Sequence, residues 1–205
     1  MGDRVAVMRK GELQQVATPQ ELYDQPVNLF VGGFIGSPAM NLLQARLVRD
    51  GDRLVARLCE GMDLEVAPEL LRQRPALAGF EGREVILGIR PEHLEDAAVA
   101  GDAPAGRRLR GKVALREALG SEIMMHLNVE ARPALTDEIR ELAEDVGGEA
   151  RVTERPEAVL VGRFSARSRA SAGDPVDVVV DTTTLHFFDP ESGLGIYDHP
   201  GGAGT

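Results

Sequence analysis

Residues 85–94 read VILGIRPEHL, and this stretch decides how the chain is built. Val85, Ile86, Leu87 and Ile89 form an apolar run too short for a free-standing helix. It is rich in β-branched residues, the pattern of a strand buried in a barrel core. Gly88 interrupts the run; inside a strand, glycine marks a bulge or a close approach by another group. Pro91 has no N–H to donate and ends the ladder. Arg90, Glu92 and His93 then sit where the strand leaves the core, within reach of a neighbouring element. Arg90 and Glu92 are spaced to pair across that strand end.

The flanking sequence has the same texture. Residues 42–48 and 53–58 surround Asp50-Gly51-Asp52, a hairpin signal. Residues 110–117 and 122–129 flank Leu119-Gly120-Ser121. In the second of these, Ile123, Met125, Leu127 and Val129 share one face, with Met124, His126 and Asn128 on the other. Residues 158–164, 175–181, 184–188 and 194–197 supply further strands, and 189–193 a turn. A helical turn fits 68–74, a loop 96–108, and an acidic helix 136–146 with Ile139, Leu142 and Val146 on one side. Short strands at close spacing with Gly and Pro turns predict a small closed β-barrel.

The beginning of the chain differs. Residues 3–9 alternate up to Lys10-Gly11, and 12–16 return as a second strand. Thr18-Pro19-Gln20-Glu21 is a capping box with Pro at the first helical position. Asn28 caps a second short helix that ends near Gly36 and Ser37-Pro38. One hairpin and two short helices cannot bury Leu22, Phe30, Phe34 and Ile35 by themselves. Either they pack on the following barrel, or their surface comes from a part of a larger protein.

The formal charge of −10 repels phosphates and argues against a nucleic-acid binder. The single cysteine, Cys59, excludes an intramolecular disulfide; it reads as a small buried apolar residue. No apolar run is long enough to cross a bilayer, and the first ten residues lack the apolar core of a signal peptide.

Four pieces occur in an order that carries a resemblance: GGFIGSPAMN at 32–41, RPEH at 90–93, LGSE at 119–122 and LHFFDPESG at 185–193. Together they resemble the C-terminal part of the ATP-binding subunit of carbohydrate-importing ABC transporters, the maltose, trehalose and glycerol-3-phosphate importer type. The resemblance implies a mainly β fold, an OB-fold-like (TOBE) small barrel with a short α/β N-terminal remnant of an ATPase domain. It places the end of the nucleotide-binding domain at 1–38 and the OB/TOBE regulatory domain at 39–198. Residues 131–157 become an insertion and 199–205 a tail, and Met1 is not the natural start. The implied role is regulation and dimerisation of an importer's ATP-binding subunit, itself non-catalytic. The implied partners are a second copy of the subunit and, through the ATPase part, membrane permease subunits. The implied location is cytoplasmic, peripheral at the inner face of the membrane, with no nucleic acid and no direct membrane insertion. No cofactor is expected in this chain; MgATP would bind the full-length parent.

GRRLRGKV at 106–113 fits G-x-x-x-x-G-K, but Val113 stands where Ser or Thr should hold Mg²⁺. The segment also leads into a strand rather than a helix, so it reads as a basic loop entering a strand. Without a phosphate cradle nothing here polarises a γ-phosphate. His93, His126, His186, His199 and Cys59 lack metal-ligand spacing. Arg163, Arg167 and Arg169 form a further cluster of positive charge: an anion site, a partner for the acidic helix, or a solvated loop. Phe187 and Phe188 point to opposite faces, and the outward ring is a candidate for subunit contact. By the resemblance, the candidates for bracing the barrel or lining a domain or subunit contact are Arg90, Pro91, Glu92, His93, Gly120, Glu122, His186 and Phe188. An alternative reading is a free-standing OB-type barrel binding an oxyanion or oligosaccharide. An RNA-binding OB module is a third, for which the aromatic platform is poor.

Overall fold

The computed structural model describes residues 3–134 and 157–197. The acidic helix expected at 136–146, most of the insertion and the tail lie outside the described residues. The chain opens with hairpin strands β1 (Val5–Arg9) and β2 (Glu12–Ala17), then helices α1 (Pro19–Asp24) and α2 (Leu29–Phe34). Strands β3 (Asn41–Asp50), β4 (Arg53–Cys59) and β5 (Met62–Glu65) follow, then α3 (Pro68–Gln73), β6 (Glu84–Ile89), β7 (Leu94–Asp96) and α4 (Ala97–Ala100). The remaining strands are β8 (Arg108–Ala118), β9 (Glu122–Val129), β10 (Ala158–Ser165), β11 (Pro175–Val180) and β12 (His186–Phe188).

The predicted helix starts are present. The Glu21 amide donates to Thr18 Oγ1 at 3.2 Å and the Thr18 amide to Glu21 Oε2 at 2.9 Å. The Thr18 amide and the Thr18 hydroxyl, which also donates to Glu21 Oε2 at 2.9 Å, hold the Glu21 carboxyl below its usual range. Asn28 Oδ1 accepts from the Val31 amide at 2.9 Å, while its Nδ2 donates to Gln14 of β2. The hairpin and helices thus share a small apolar cluster of Val7, Leu22, Phe30 and Val31.

The barrel is built as two five-stranded sheets around one core. One runs β12-β6-β3-β4-β5, the other β10-β9-β8-β11-β7, and in the second, β10 also packs against β7, its far edge. Strands β5 and β7 are too short to be seen as periodic patterns. The segment expected as loop at 96–108 contains α4, capped by Asp96 accepting from the Ala98 amide at 2.8 Å. Residues 194–197, expected as a strand, form only isolated bridges, Asn28↔Leu194 and Phe188↔Gly195. GRRLRGKV turns at Ala105–Arg107 and enters β8, as its chemistry implied. Cys59 was expected in the core; it lies half-buried at the end of β4, its Sγ 3.7 Å from the Glu60 carbonyl.

Strand β6 is buried on both faces, which is why it reads as a run rather than an alternation. Val85, Leu87 and Ile89 join the main core with Leu43 and Leu47 of β3 and Met125 of β9. Ile86 lies on the other face, in a second cluster with Leu29, Met40 and Phe188. Asn41, 7% exposed, stitches the two sheets together. Its Nδ2 donates to the carbonyls of Ile89 (3.0 Å) and Val161 (2.9 Å), and its Oδ1 accepts from the Val161 amide at 2.7 Å. An Asn41→Leu chain keeps the volume but strands those backbone groups, each costing about 1–3 kcal/mol when buried and unpaired. The expected result in urea unfolding is a midpoint lowered by at least about 2 kcal/mol of stability at an unchanged slope.

Candidate functional site

The candidate site is the junction where the N-terminal helices meet β6 and β12. Side chains alternate along a strand, so Ile86, Gly88 and, just past the strand, Arg90 point towards the helices. On β12, which pairs antiparallel to β6 with His186 opposite Gly88, the same face carries His186 and Phe188. Gly88 is a close approach and not a bulge: a Cβ there would run into Met40 Sδ and sit 3.0 Å from His186 Cβ.

Arg90 is fully buried at 0% exposure. Its Nη2 donates to the Tyr23 carbonyl at 2.6 Å, and its Nη1 to the carbonyls of Gly32 (3.4 Å) and Ile35. The guanidinium also lies 3.8 Å from the centroid of the Tyr23 ring, a cation–π contact. Those carbonyls include the C-terminal ends of α1 and α2, where helices leave acceptors unpaired and favour a positive charge. Burial draws the guanidinium down to about 10, opposed by the charges of Tyr197 and Asp24, so it remains protonated at neutral pH. The expected pairing of Arg90 with Glu92 is not formed. Pro91 starts a 3-10 turn through His93 that turns Glu92 into solvent. His93 Nδ1 lies 2.8 Å from Thr184 Oγ1.

Phe188, expected as an outward ring for subunit contact, is instead 0% exposed. The alternation was real: Phe187 faces the main core and Phe188 the other side. That other side is covered by α2, where Gly32 leaves room for the ring; a Cβ there would sit 3.0 Å from Phe188 Cζ. His186 is 4% exposed, its Nδ1 without a hydrogen-bond partner. Burial first, then the charges of Arg74 and Arg90, hold its pKa well below the usual value. The segment after β12 completes the junction: the Leu29 amide donates to the Gly193 carbonyl and the Gly195 amide to that of Val27, both at 2.9 Å.

Gly120 and Glu122 are elsewhere, at the exposed tip of the β8–β9 hairpin, where Gly120 has φ +94°. Glu122 lies 3.6 Å from Arg163 Nε, and Arg163 Nη2 donates to the Ser37 carbonyl at 3.1 Å. Arg167 and Arg169 do not converge with it on one ligand site; they line an open depression with Asp96, Asp174 and Asp177. Sequence reasoning missed Asn41, Tyr23 and Tyr197, all of which act at this junction through contacts remote in sequence. Among the described residues no group of three or more His, Cys, Asp or Glu is placed to hold a metal. No helix among them is long and apolar enough to cross a membrane.

Among the described residues, a barrel is joined to short helices by one buried arginine. Comparison with known proteins gives it a family. Residues 36–94 match the MalK OB fold domain and residues 87–161 the TOBE domain, so both models claim the RPEH turn. The chain is 40% identical over 198 residues to the trehalose/maltose import ATP-binding protein MalK of Thermococcus litoralis, covering 96% of this chain and 45% of that one. It is 39% identical over 201 residues to the trehalose import ATP-binding protein SugC of Mycobacterium tuberculosis, covering 96% and 48%. It is 32% identical over 197 residues to the oligosaccharides import ATP-binding protein MsmX of Bacillus subtilis, covering 96% and 45%. The chain belongs to this family, as the OB/TOBE regulatory region of sugar-importer ATP-binding proteins. It spans about half the length of the curated relatives it matches. A solved structure of the cytoplasmic molybdate-binding protein ModG covers 72% of this chain at 15% identity and a TM-score of 0.45, too distant to bear on a ligand.

The buried His186 sets a pH dependence. Its folded pKa lies below its unfolded value near 6.5, so below that pH the unfolded chain binds a proton the folded chain refuses. The contribution is constant above pH 6.5 and is lost as pH falls, at up to about 1.4 kcal/mol per pH unit. Chemical unfolding from pH 7 to 5 should show this slope, and His186→Gln should remove that part of it.

Proposed function

We propose that this chain is the regulatory and dimerisation region of the ATP-binding subunit of an importer for sugars or related solutes. The observation that carries the reading is the uncovered side of the β1–β2 hairpin. Ala6 pairs with Val16 and Met8 with Leu13, which puts four apolar side chains on one face. Met8, Leu13 and Val16 are 52%, 58% and 36% exposed. The opposite face holds Val7 in the small helical cluster, and that cluster is fixed to the barrel by Arg90. A bare apolar sheet face backed by a rigid connection suits a surface that another domain covers. Its occupant is the ATP-binding domain that such relatives carry, in which MgATP binds. Motion of that domain would then be passed to the barrel as a rigid body.

The barrel's work is to hold two subunits together while the ATP-binding halves open and close. A two-fold pair is the economical arrangement, and the β8–β9 hairpin supports it: Leu115 within β8 and Leu119 beside Gly120 at the tip are 48% and 59% exposed. Membrane permease subunits are reached through the ATP-binding domain. The chain's place is thus cytoplasmic, peripheral at the inner face of the membrane.

The double substitution Met8→Glu/Leu13→Glu tests the first surface. It touches only exposed positions, so the chain's thermal midpoint should stay within about 2 °C. Sedimentation equilibrium with the separately produced ATP-binding domain of the Thermococcus litoralis relative should show one-to-one association, weakened at least about tenfold by the two charges. Failure of the parent chain to associate, or association indifferent to the substitutions, would count against the reading.

A further inference from the structure

The junction contains a cleft of about 500 Å³ between α1 and the barrel, bounded by Tyr23, Asp24, Gln73, Arg74, His186 and Tyr197. Two of the residues that bound it, His186 and Tyr197, each bury a polar atom without a hydrogen-bond partner, Nδ1 and Oη. His186 is 4% exposed. Buried polar groups are nearly always satisfied, and each orphan calls for an explanation. Two from residues that bound one cleft have a common one.

The surrounding chemistry selects the class of ligand. Both groups are un-ionised at neutral pH: burial holds the His186 imidazole neutral and pushes the Tyr197 phenol up to about 12. The two nearby cations are engaged with the protein. Arg90 donates to carbonyls of α1 and α2, and Arg74 donates to the Leu185 carbonyl at 3.1 Å and lies 4.6 Å from the centroid of the Tyr197 ring. An anion entering the cleft meets the Asp24 carboxylate, and a cation meets Arg74. One face of each tyrosine is taken by a guanidinium, which leaves a poor platform for a flat aromatic ligand. A hydroxyl both donates and accepts, so it can serve the imidazole nitrogen in either tautomer and the phenol as well. The volume falls in the range of small-molecule sites.

We infer that this cleft is a binding site for a small, neutral, hydroxyl-rich molecule, a polyol or a mono- or disaccharide, held by hydrogen bonds to His186 and Tyr197. Every residue named in the site belongs to this chain, so its test uses this chain alone and is separate from the one above.

Isothermal titration of the whole chain with glycerol, D-glucose and trehalose tests it. At least one should bind saturably. Tyr197→Phe keeps the ring under Arg74 and removes only the orphan hydroxyl, so it should weaken that binding about tenfold. Without ligand the same variant should melt no lower than the parent, because an unpaired buried hydroxyl costs stability. In ¹H–¹⁵N spectra of the parent chain, the bound probe should shift the amides of residues 73–74, 93, 183–186 and 197. Binding by none of the three probes, binding untouched by Tyr197→Phe, shifts confined to other residues, or tighter binding of inorganic phosphate would each overturn the inference.

Discussion

A guanidinium with no access to water needs acceptors, and both Nη atoms of Arg90 find them in the main chain of a different part of the molecule, while its Nε has no partner. The barrel supplies the charge; the ends of α1 and α2 supply the carbonyls. Neither side is satisfied alone: the helices would leave their terminal acceptors unpaired, and the strand end would bury a bare cation. The fit between the two halves is therefore specified by polar satisfaction as well as by apolar area. The apolar part sets Leu29 against Ile86, Met40 and Phe188.

Two strands, β6 and β12, carry this arrangement because each has two buried faces. Towards the core they offer Leu87 and Phe187, which belong to the barrel. Towards the helices they offer Gly88, Arg90, His186 and Phe188. The period of two along a strand keeps these roles apart with no insertion or bulge. The missing side chain at Gly88 lets Met40, His186 and Phe188 close over the strand. A cleft remains where α1 stops short of α3 and the segment ending at Tyr197.

Much of this was legible in the residues. The capping box at Thr18, the Asn28 cap, the hairpin at Gly51 and the alternation of 122–129 are local patterns, and local physics fixes them. Buried β6 was legible for the same reason. The destination of Arg90 was not. Its partners are backbone carbonyls 55 to 67 residues away, and a carbonyl has no sequence identity. Glu92 was the nearest visible acceptor and the wrong one. Phe188 was read correctly as facing away from Phe187, but the sequence does not show what lies over that face. Asn41 illustrates the same limit: its ties to Ile89 and Val161 exist only once two sheets meet.

The account depends on Arg90 acting as the clasp between helices and barrel, and native-state hydrogen exchange of an Arg90→Met chain examines that directly. The Leu22, Gly32 and Ile35 amides, each bonded within its helix, report on the helices; amides of β3 and β6 report on the barrel. The account predicts that protection of the three helical amides falls together by at least about tenfold while β3 and β6 keep theirs. Unchanged helical protection, or a loss shared equally by helices and barrel, would contradict it.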